Sequence, residues 1–567
     1  MRILLIYPYF IEERIHAEDI KTVPIGLYSV AAVLKERGYD VGILNWHDAD
    51  KGPDEIEKTL LDERPDVIGF SILHANRWGG IEIARTAKRL HAGTKIVFGG
   101  IGATFLWEHL LTHFPEIDVV VLGEGERPFL ELVQWMEKEG PERQGGGWPE
   151  DIGGIAFKKG GKVTRTGEAQ PVRDLNGLPI PAKYFRYQHL STTRGCAWNC
   201  RFCGSPAFWK GKLRFRSPQH VLEELAVLSR RGVTFFYFSD DTFTLKKDRA
   251  LEICRGIIEK KLPITWAAIS RVDCVDEELL YWMRMAGCIQ ISYGVESGSE
   301  KIRARLHKEI KTDQIKRAFS LTVKYGILSR AYFIYGGPGE NWATIQETID
   351  LIHEIKPLGV VFYILDIFPG TGLYEDLKGR LKINDDIWLN KIEGIMHFET
   401  VPGPSKDLIP AFGEKLRNAF YKNVHHFADA IDLLDDRGLY ERHADFLSRL
   451  GMTFSHGDYS KIDAVAEKEQ TAEKLFRRSL GYAPNERAYL GLGILHQRRG
   501  AHAEAAWILR KGLDVFPADK ELHICLGISL MNLSDFESAL DLFEKFPDSA
   551  RAGVHMANCR RAMGDPE

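Results

Sequence analysis

The stretch SRVDCVDEELLYWMRMAGCIQISYGVESGSE, Ser270 to Glu300, decides how the chain folds. It opens on a polar turn, Ser270-Arg271-Val272-Asp273, that directly follows a strand-like run at Ile264–Ile269. It then supplies a second run, Cys288–Tyr293, ending in another polar turn, Gly294-Val295-Glu296-Ser297-Gly298. The same unit recurs on both sides. Strand-like runs lie at Phe235–Ser239, Ser329–Tyr335 and Val360–Phe368, with helix-period segments such as Pro218–Arg231 and Asp313–Tyr325 between them. Strands separated by helices imply an α/β fold with a parallel sheet and right-handed crossovers. Six such units fit a partial TIM-type (β/α)6 barrel over residues 190–400, and function is expected at the C-terminal ends of its strands. Those ends are polar: Ser239-Asp240-Asp241-Thr242-Phe243, the two turns above, Gly336-Gly337-Pro338-Gly339-Glu340, and Asp366 to Thr371. Any one of them reads as a capped turn. Their joint appearance in barrel order reads as a site.

Just upstream stands Thr193-Arg-Gly-Cys196-Ala-Trp-Asn-Cys200-Arg-Phe-Cys203. The other five cysteines, Cys254, Cys274, Cys288, Cys525 and Cys559, are scattered singly and read as small core residues. Three thiolates on one short loop can converge on one metal centre. Zinc wants four ligands, and no fourth Cys or His follows at finger spacing, so zinc here requires a distant His. A 4Fe–4S cluster held by three thiolates keeps one iron free for another ligand. Three unrelated cysteines remain the bland alternative.

The CxxxCxxC loop, with Phe202 before its last cysteine, resembles the signature of radical S-adenosylmethionine (SAM) enzymes, and Ser270–Glu300 is similar to that family almost continuously. The resemblance implies that Cys196, Cys200 and Cys203 hold the cluster. SAM would chelate the free iron and be cleaved by one electron to a 5′-deoxyadenosyl radical. It places Ser239, Asp240 and Asp241 where many relatives carry a Gly-Gly-Glu loop that meets the SAM amino group. Glu296 and Ser297 match the position that bonds the SAM ribose or carboxylate. Arg271 would face the SAM carboxylate or the substrate, and Gly336 and Gly337, with Gly339, would let backbone approach the adenine. Arg271 and Asp241 are the catalytic candidates.

Residues 1–140 read as a second, doubly wound α/β domain. Strand runs at Met1–Pro8, Asp40–Asn45, Val67–Ile72, Lys95–Gly99 and Asp118–Leu122 alternate with helical segments such as Val30–Arg37 and Gly80–Leu90. Its ligand is expected across the strand C-terminal ends. Glycines gather there: Gly26 after Thr22-Val-Pro24, Gly99-Gly100, and Gly123-Glu124-Gly125-Glu126. No GxGxxG follows the first strand, which argues against a dinucleotide. The segments TVPIGLYSVAAVLKERGYDV, PDVIGFS, VFGGIGAT and VVLGEGE resemble the cobalamin-binding domain found upstream of radical SAM domains. That resemblance makes Thr22, Pro24, Gly26, Ser71, Gly99, Gly100, Gly123 and Glu124 cobalamin contacts. The Asp-x-His-x-x-Gly motif that supplies a lower axial His elsewhere is missing. Of the early histidines, His16, His47 and His74, only His74 follows a strand end facing the corrin; a polar cap is its competing role. No cysteine precedes Cys196, which excludes the two-cluster methylthiotransferases, and no Cys group follows residue 300.

Residues 141–189 read as a linker with a Gly145–Gly147 hinge and a β-hairpin around Gly160-Gly161, and 401–466 as a helical cover. From 467 to 567 a period of 34 residues appears: Leu492-Gly493 recurs at Leu526-Gly527, Ala505 at Ala539 and Leu509 at Phe543. This resembles tetratricopeptide repeats, which imply a protein or peptide contact surface or a brace; a generic helical cap is the alternative.

Composition bounds the rest. The 567 residues are 44% hydrophobic and 27% charged, which excludes global disorder. A net charge of −4 without a long basic block argues against nucleic acid as the main partner. Eight cysteines are too few for a secreted disulfide scaffold. MRILLIYPYF turns charged at Glu12 without a cleavage site, and no run of about 18 apolar residues occurs, so a cytoplasmic protein without a membrane span is expected. The combined resemblance implies a cobalamin-dependent radical SAM methyltransferase using a 4Fe–4S cluster, SAM and cobalamin. Its partners would be a small-molecule or peptide substrate and a flavodoxin or ferredoxin reductant. A cyclisation or rearrangement enzyme, and a cobalamin-sensing binding protein, are the alternatives.

Overall fold

The computed structural model describes residues 1–11, 24–46, 53–139, 147–400 and 404–564. Two sheets organise it. The first has the order β2-β1-β3-β4-β5-β6-β7, from β1 (Arg2–Tyr7), β2 (Asp40–Asn45), β3 (Val67–Ser71), β4 (Lys95–Gly99), β5 (Val119–Val121), β6 (Ile155–Lys159) and β7 (Lys162–Arg165). β1 to β5 run parallel. β1 is apolar on both faces because both are covered. Ile3, Leu5 and Tyr7 join one core and Leu4 and Ile6 the other, the period-2 alternation of a strand between two helix layers.

The expected hairpin forms, with Gly160 (φ 56°) and Gly161 (φ 81°) as its two-residue turn. It pairs antiparallel onto β5. The first sheet therefore runs on to Arg165, beyond the boundary at residue 140 drawn from sequence. Thr22, His16, His47 and two residues of the Gly145–Gly147 hinge lie outside the described residues.

The second sheet is parallel, in the order β8-β11-β12-β13-β14-β15. Its strands are β8 (His189–Leu190), β11 (Phe235–Phe238), β12 (Thr265–Ser270), β13 (Cys288–Glu296), β14 (Leu328–Tyr335) and β15 (Gly359–Ile364). Between β8 and β11, the short pair β9 (Thr193–Arg194) and β10 (Arg214–Phe215) runs antiparallel. Helices Pro218–Arg230, Lys247–Glu259, Glu277–Met285, Thr312–Lys324 and Trp342–Ile355 connect the strands. Ser217, Asp276 and Asn341 cap three of them with their side chains.

After β15 the chain crosses back to the first domain. Leu365, Ile367, Tyr374 and Trp388 share one core with Ile72, Trp78 and Leu110. Complete burial of Trp388 alone is worth about 1.5–3 kcal/mol. Helix Leu408–Tyr421 lies on Trp342–Ile355, with the rings of Phe412 and Trp342 edge to face at 4.7 Å. Helix Tyr440–Ser455 is tied to the second sheet by Arg284, buried and bonded to Asp445 at 2.9 Å. Six helices from Lys468 to Met563 follow, each packed on the next. Gly493 lies against Leu509, and 34 residues later Gly527 lies against Phe543, so one close contact recurs at the period of the sequence. No helix among the described residues is long and apolar enough to cross a membrane.

Candidate active site

The cysteine loop hangs between β9 and β10. It is closed by a turn from Cys203 N to Cys200 O (3.1 Å) and pinned at Arg201, whose N–H donates to Leu306 O and whose carbonyl accepts from Leu373 N, both at 3.1 Å. All three thiols are free; Cys200 is buried and Cys196 and Cys203 half-buried. Burial pushes each thiol up, Cys203 to about 12. Each lies close enough to another of the three to be felt electrostatically. Three uncommitted, mutually close sulfurs on one pinned loop are the donor set a three-thiolate cluster needs. Phe202 is half-buried and packs on the core shared with the first domain.

The strand ends converge on this loop. Arg271 stacks over Trp198, in the loop itself, with 3.8 Å from guanidinium to ring centroid. It also forks onto Asp273 at 3.0 Å twice and donates to Glu309 O. Asp241 accepts from Ser205 just past the loop at 2.5 Å, and burial pushes its carboxyl up. Asp240 is fully enclosed: its carboxylate accepts from Thr192 N and Thr193 N at 2.6 and 2.8 Å and from the Thr192 hydroxyl. It thereby fixes the chain leading into the cysteines. Ser239 meets His189 at 2.8 Å. Glu296 sits at φ 65° and pairs with Lys308 at 2.9 Å, both almost unexposed. A non-glycine residue at positive φ is costly and marks a constrained site. The Ser297 hydroxyl faces Thr348 and the Ser299 N–H. Gly336 and Gly337 turn their N–H groups onto Glu340, whose buried carboxyl is pushed up to about 7.

The structure therefore brings Asp241, Arg271 and Glu296 to the cysteines. Lys308 and Cys274 were not anticipated there. Cys274 is half-buried beside Asp273 and Cys196, unlike the other four single cysteines, which are buried. Sequence alone carried no signal for Lys308, because its partner Glu296 lies across a helix and a turn.

The second element is a cavity of about 320 Å³ at the C-terminal ends of β1, β3, β4 and β5. Gly26, Ser71, Gly99, Gly100, Gly123 and Glu124, all picked from sequence, line it; Pro24 does not. From the other side Ser191, Arg194, Trp209 and Ser239 close it, so it opens between the two domains. A Cβ added at Gly26 or Gly123 would meet no atom within 4 Å, so these glycines leave ligand space free. Gly100, at φ 91°, has none to spare: a Cβ there would lie 2.9 Å from Ile72 O. A glycine-lined crevice outside the carboxyl ends of parallel strands ordered 2-1-3-4-5 is where this kind of sheet binds its ligand.

Arg194 joins the two elements. It directly precedes Gly195-Cys196 and bonds Glu124, Glu126 and Ser29 of the first domain. Arg214 holds the second Glu124 oxygen at 2.5 Å. Burial disfavours the Arg194 charge, but Glu126 and Glu124 more than offset it and hold the guanidinium protonated. Glu124 is thus committed to the domain contact as well as lining the cavity. His74 serves that contact too. It pairs with Asp366 at 2.9 Å, stacks on Phe368 at 4.5 Å, and is not among the cavity's lining residues. Next to it Arg77 lies over Trp388 at 4.6 Å and donates to Ile392 O at 2.7 Å.

A glycine-lined crevice thus lies across one domain contact from a loop of three free thiols. Similarity to known proteins names the class. Residues 190–352 match the radical SAM superfamily, and residues 20–133 the B12 binding domain. An uncharacterized methyltransferase of Pyrococcus horikoshii is 32% identical over 364 residues, 62% of this chain and 78% of that protein. The anaerobic magnesium-protoporphyrin IX monomethyl ester cyclase of Rubrivivax gelatinosus is 28% identical over 420 residues, 70% of this chain and 73% of that one. Among solved structures, the radical SAM methyltransferase TsrM of Kitasatospora setae, with cobalamin and a 4Fe–4S cluster bound, superposes with a TM-score of 0.59 at 17% identity. That match covers 86% of this chain and 100% of TsrM. The chain belongs to the radical SAM enzymes that carry a B12-binding domain, and its cofactors are a 4Fe–4S cluster, SAM and cobalamin.

Proposed function

We propose that the protein transfers a methyl group to an unactivated carbon of a small-molecule or peptide substrate. The observation that carries this reading is the cavity shared by the two domains. Gly99, Gly100 and Gly123 line one wall, and Ser239 and Arg194, next to the cysteine loop, line the other. When bound, the cofactors supply the chemistry: a reduced cluster that cleaves SAM and a corrinoid that carries the methyl group.

The chain's own residues bind and orient. Cys196, Cys200 and Cys203 hold the cluster. Asp241, Glu296 with Lys308, and the Gly336-Gly337 turn are the groups offered to SAM. Arg271 is the catalytic candidate nearest the cysteines, positioned by Trp198 and Asp273. Gly26, Ser71, Gly99, Gly100 and Gly123 receive the corrinoid; Pro24, shortly before Gly26 in the chain, is a further proposed contact, and Thr22 is proposed on the resemblance alone. The buried Arg194 network keeps the two walls in register and water out of the gap. His74, paired with Asp366, acts through the domain contact. The second sheet is read as a partial barrel. The repeated Gly493/Leu509 and Gly527/Phe543 contacts support tetratricopeptide-type repeats, a surface for a protein or peptide. A flavodoxin- or ferredoxin-type reductant in the cytoplasm completes the cycle.

The test is anaerobic turnover with SAM labelled in its methyl group. Label in the product, with 5′-deoxyadenosine formed alongside, is the expected result. Product without label refutes methyl transfer and favours a cyclase-type reaction, as the cyclase relative is named for.

A further inference from the structure

A second group of metal-type ligands lies where helix Trp107–His113 of the first domain meets the segment after β15. Helix Trp107–His113 carries His109 and His113 four residues apart, hence on one face. Asp386, in the turn of helix Asp385–Leu389, approaches them from the segment after β15. One ligand atom from each of the three lies within 4.8 Å of the other two. His113 Nε2 is 3.0 Å and His109 Nδ1 3.8 Å from the same oxygen, Asp386 Oδ1. Ligand atoms around tetrahedral zinc, at about 2.0–2.1 Å from the metal, stand roughly 3.3 Å apart. The two separations to Asp386 bracket that value, and the two imidazole ligand atoms lie within 4.8 Å of each other.

The independent observation is His109. Its side chain is 1% exposed, yet neither ring nitrogen has a hydrogen-bond partner. A buried imidazole without a partner is costly, and such groups in folded proteins are ordinarily satisfied. Its surroundings hold it in place: the ring packs edge to face on Phe114 and lies 5.0 Å from the His113 ring. Asn384 fixes the carboxylate, donating to Asp386 Oδ2 at 3.0 Å while accepting from the Asp386 N–H at 3.0 Å. Such outer bonds orient a ligating carboxylate. His113 and Asp386 are 31% and 52% exposed, which leaves the outer side open to water as a fourth ligand.

We propose that His109, His113 and Asp386 form a mononuclear site for a divalent transition metal of zinc type, stapling the first domain to the segment after the sixth strand. Two imidazoles and one carboxylate favour zinc and its neighbours over magnesium or calcium. The site is separate from the cluster cysteines, whose donors are all sulfur.

The experiment uses cluster-loaded holoenzyme stripped of loosely held metal with a chelator, then titrated with zinc chloride. Metal content, the zinc K-edge spectrum and thermal unfolding are read on the same samples. One zinc per chain is expected, with nitrogen and oxygen neighbours only, and a melting temperature that rises with zinc. His113→Ala changes a partly exposed residue and should weaken binding more than about 100-fold, beyond the 10–100-fold typical of outer partners. Asn384→Ala should weaken it by about 10–100-fold. Sulfur in the zinc shell, equal binding by wild type and His113→Ala, or zinc uptake no greater than magnesium uptake would each overturn the proposal. Should His113→Ala misfold, Asp386→Asn carries the same comparison, because its side chain is more than half exposed.

Discussion

The guanidinium of Arg271 lies 3.8 Å from the ring centroid of Trp198. The pair joins the end of the third strand of the second sheet to the middle of the cysteine loop. Trp198 stands between Cys196 and Cys200, so this stack orients the loop that carries the thiols. A buried cation–π contact contributes about 0.5–2 kcal/mol. The Trp198→Ala, Arg271→Ala cycle, read by denaturant unfolding, should show a coupling of about 1 kcal/mol. Arg271→Lys keeps the charge but loses the fork onto Asp273, and should slow 5′-deoxyadenosine formation at least about tenfold. Strictly additive single effects would show that the stack carries no energy.

Cys274 tests which thiols hold iron. It sits near Cys196, yet it belongs to a different strand end and already contacts Asp273 at 3.8 Å. Cys274→Ala should keep full iron and sulfide content. Cys196→Ala, Cys200→Ala and Cys203→Ala together should remove the broad visible absorbance. Iron loss in Cys274→Ala would mean that the ligand set includes it.

Gly26 separates binding from folding. A Cβ there meets nothing within 4 Å, and Gly26 lies in the first turn of helix Ile25–Glu36. Gly26→Leu should leave the melting temperature unchanged or slightly higher, since glycine costs about 0.5–1 kcal/mol in a helix. Its side chain would enter the cavity, so corrinoid retention should fall by an order of magnitude or more. Unchanged corrinoid content would place the ligand elsewhere.

Arg194 tests the domain contact. Burial alone would raise the Glu126 carboxyl, but Arg194 and Ser29 bring it below its ordinary value. A depressed carboxylate pKa adds stability above the unfolded value of about 4.3, and that contribution is lost as pH falls through the folded value. Arg194→Met removes one partner of a buried pair and should cost about 3–5 kcal/mol at neutral pH. It should also move the acid-unfolding midpoint upward. Equal acid midpoints for wild type and variant would show that the network is not coupled to folding.

Glu340 predicts the opposite slope. Its carboxyl is pushed up to about 7 by burial, with the Gly336 and Gly337 N–H groups working against that shift. The folded state then holds a proton that the unfolded chain releases near pH 4.3, so stability contributed by the proton is complete below that pH and is lost as pH rises toward 7. Glu340→Gln keeps an acceptor for both N–H groups and removes the titration. The difference in unfolding free energy between pH 5 and pH 7.5 should shrink by up to about 3 kcal/mol in the variant. An unchanged difference would place the titration on other groups.

The sequence by itself determined the parallel strands of each sheet, because strand hydrophobicity and helix period are local and alternate from β1 to β5 and again from β11 to β15. It also singled out the three thiols proposed for the cluster, since loop spacing alone keeps Cys196, Cys200 and Cys203 close. The cavity glycines were legible for the same reason: strand-end turns in this fold all point to one crevice. Contacts between residues far apart in the chain were not legible. Nothing local pairs Arg194 with Glu126, Trp198 with Arg271, or His109 with Asp386. His74 shows the limit most clearly. Its place at a strand end makes it a candidate for the corrin, and only the folded chain shows that it pairs with Asp366, 292 residues away. Only the docking of the two sheets decides such pairs. Burial there removes water from charges that local sequence would leave solvated, and each must then find its partner in the other domain.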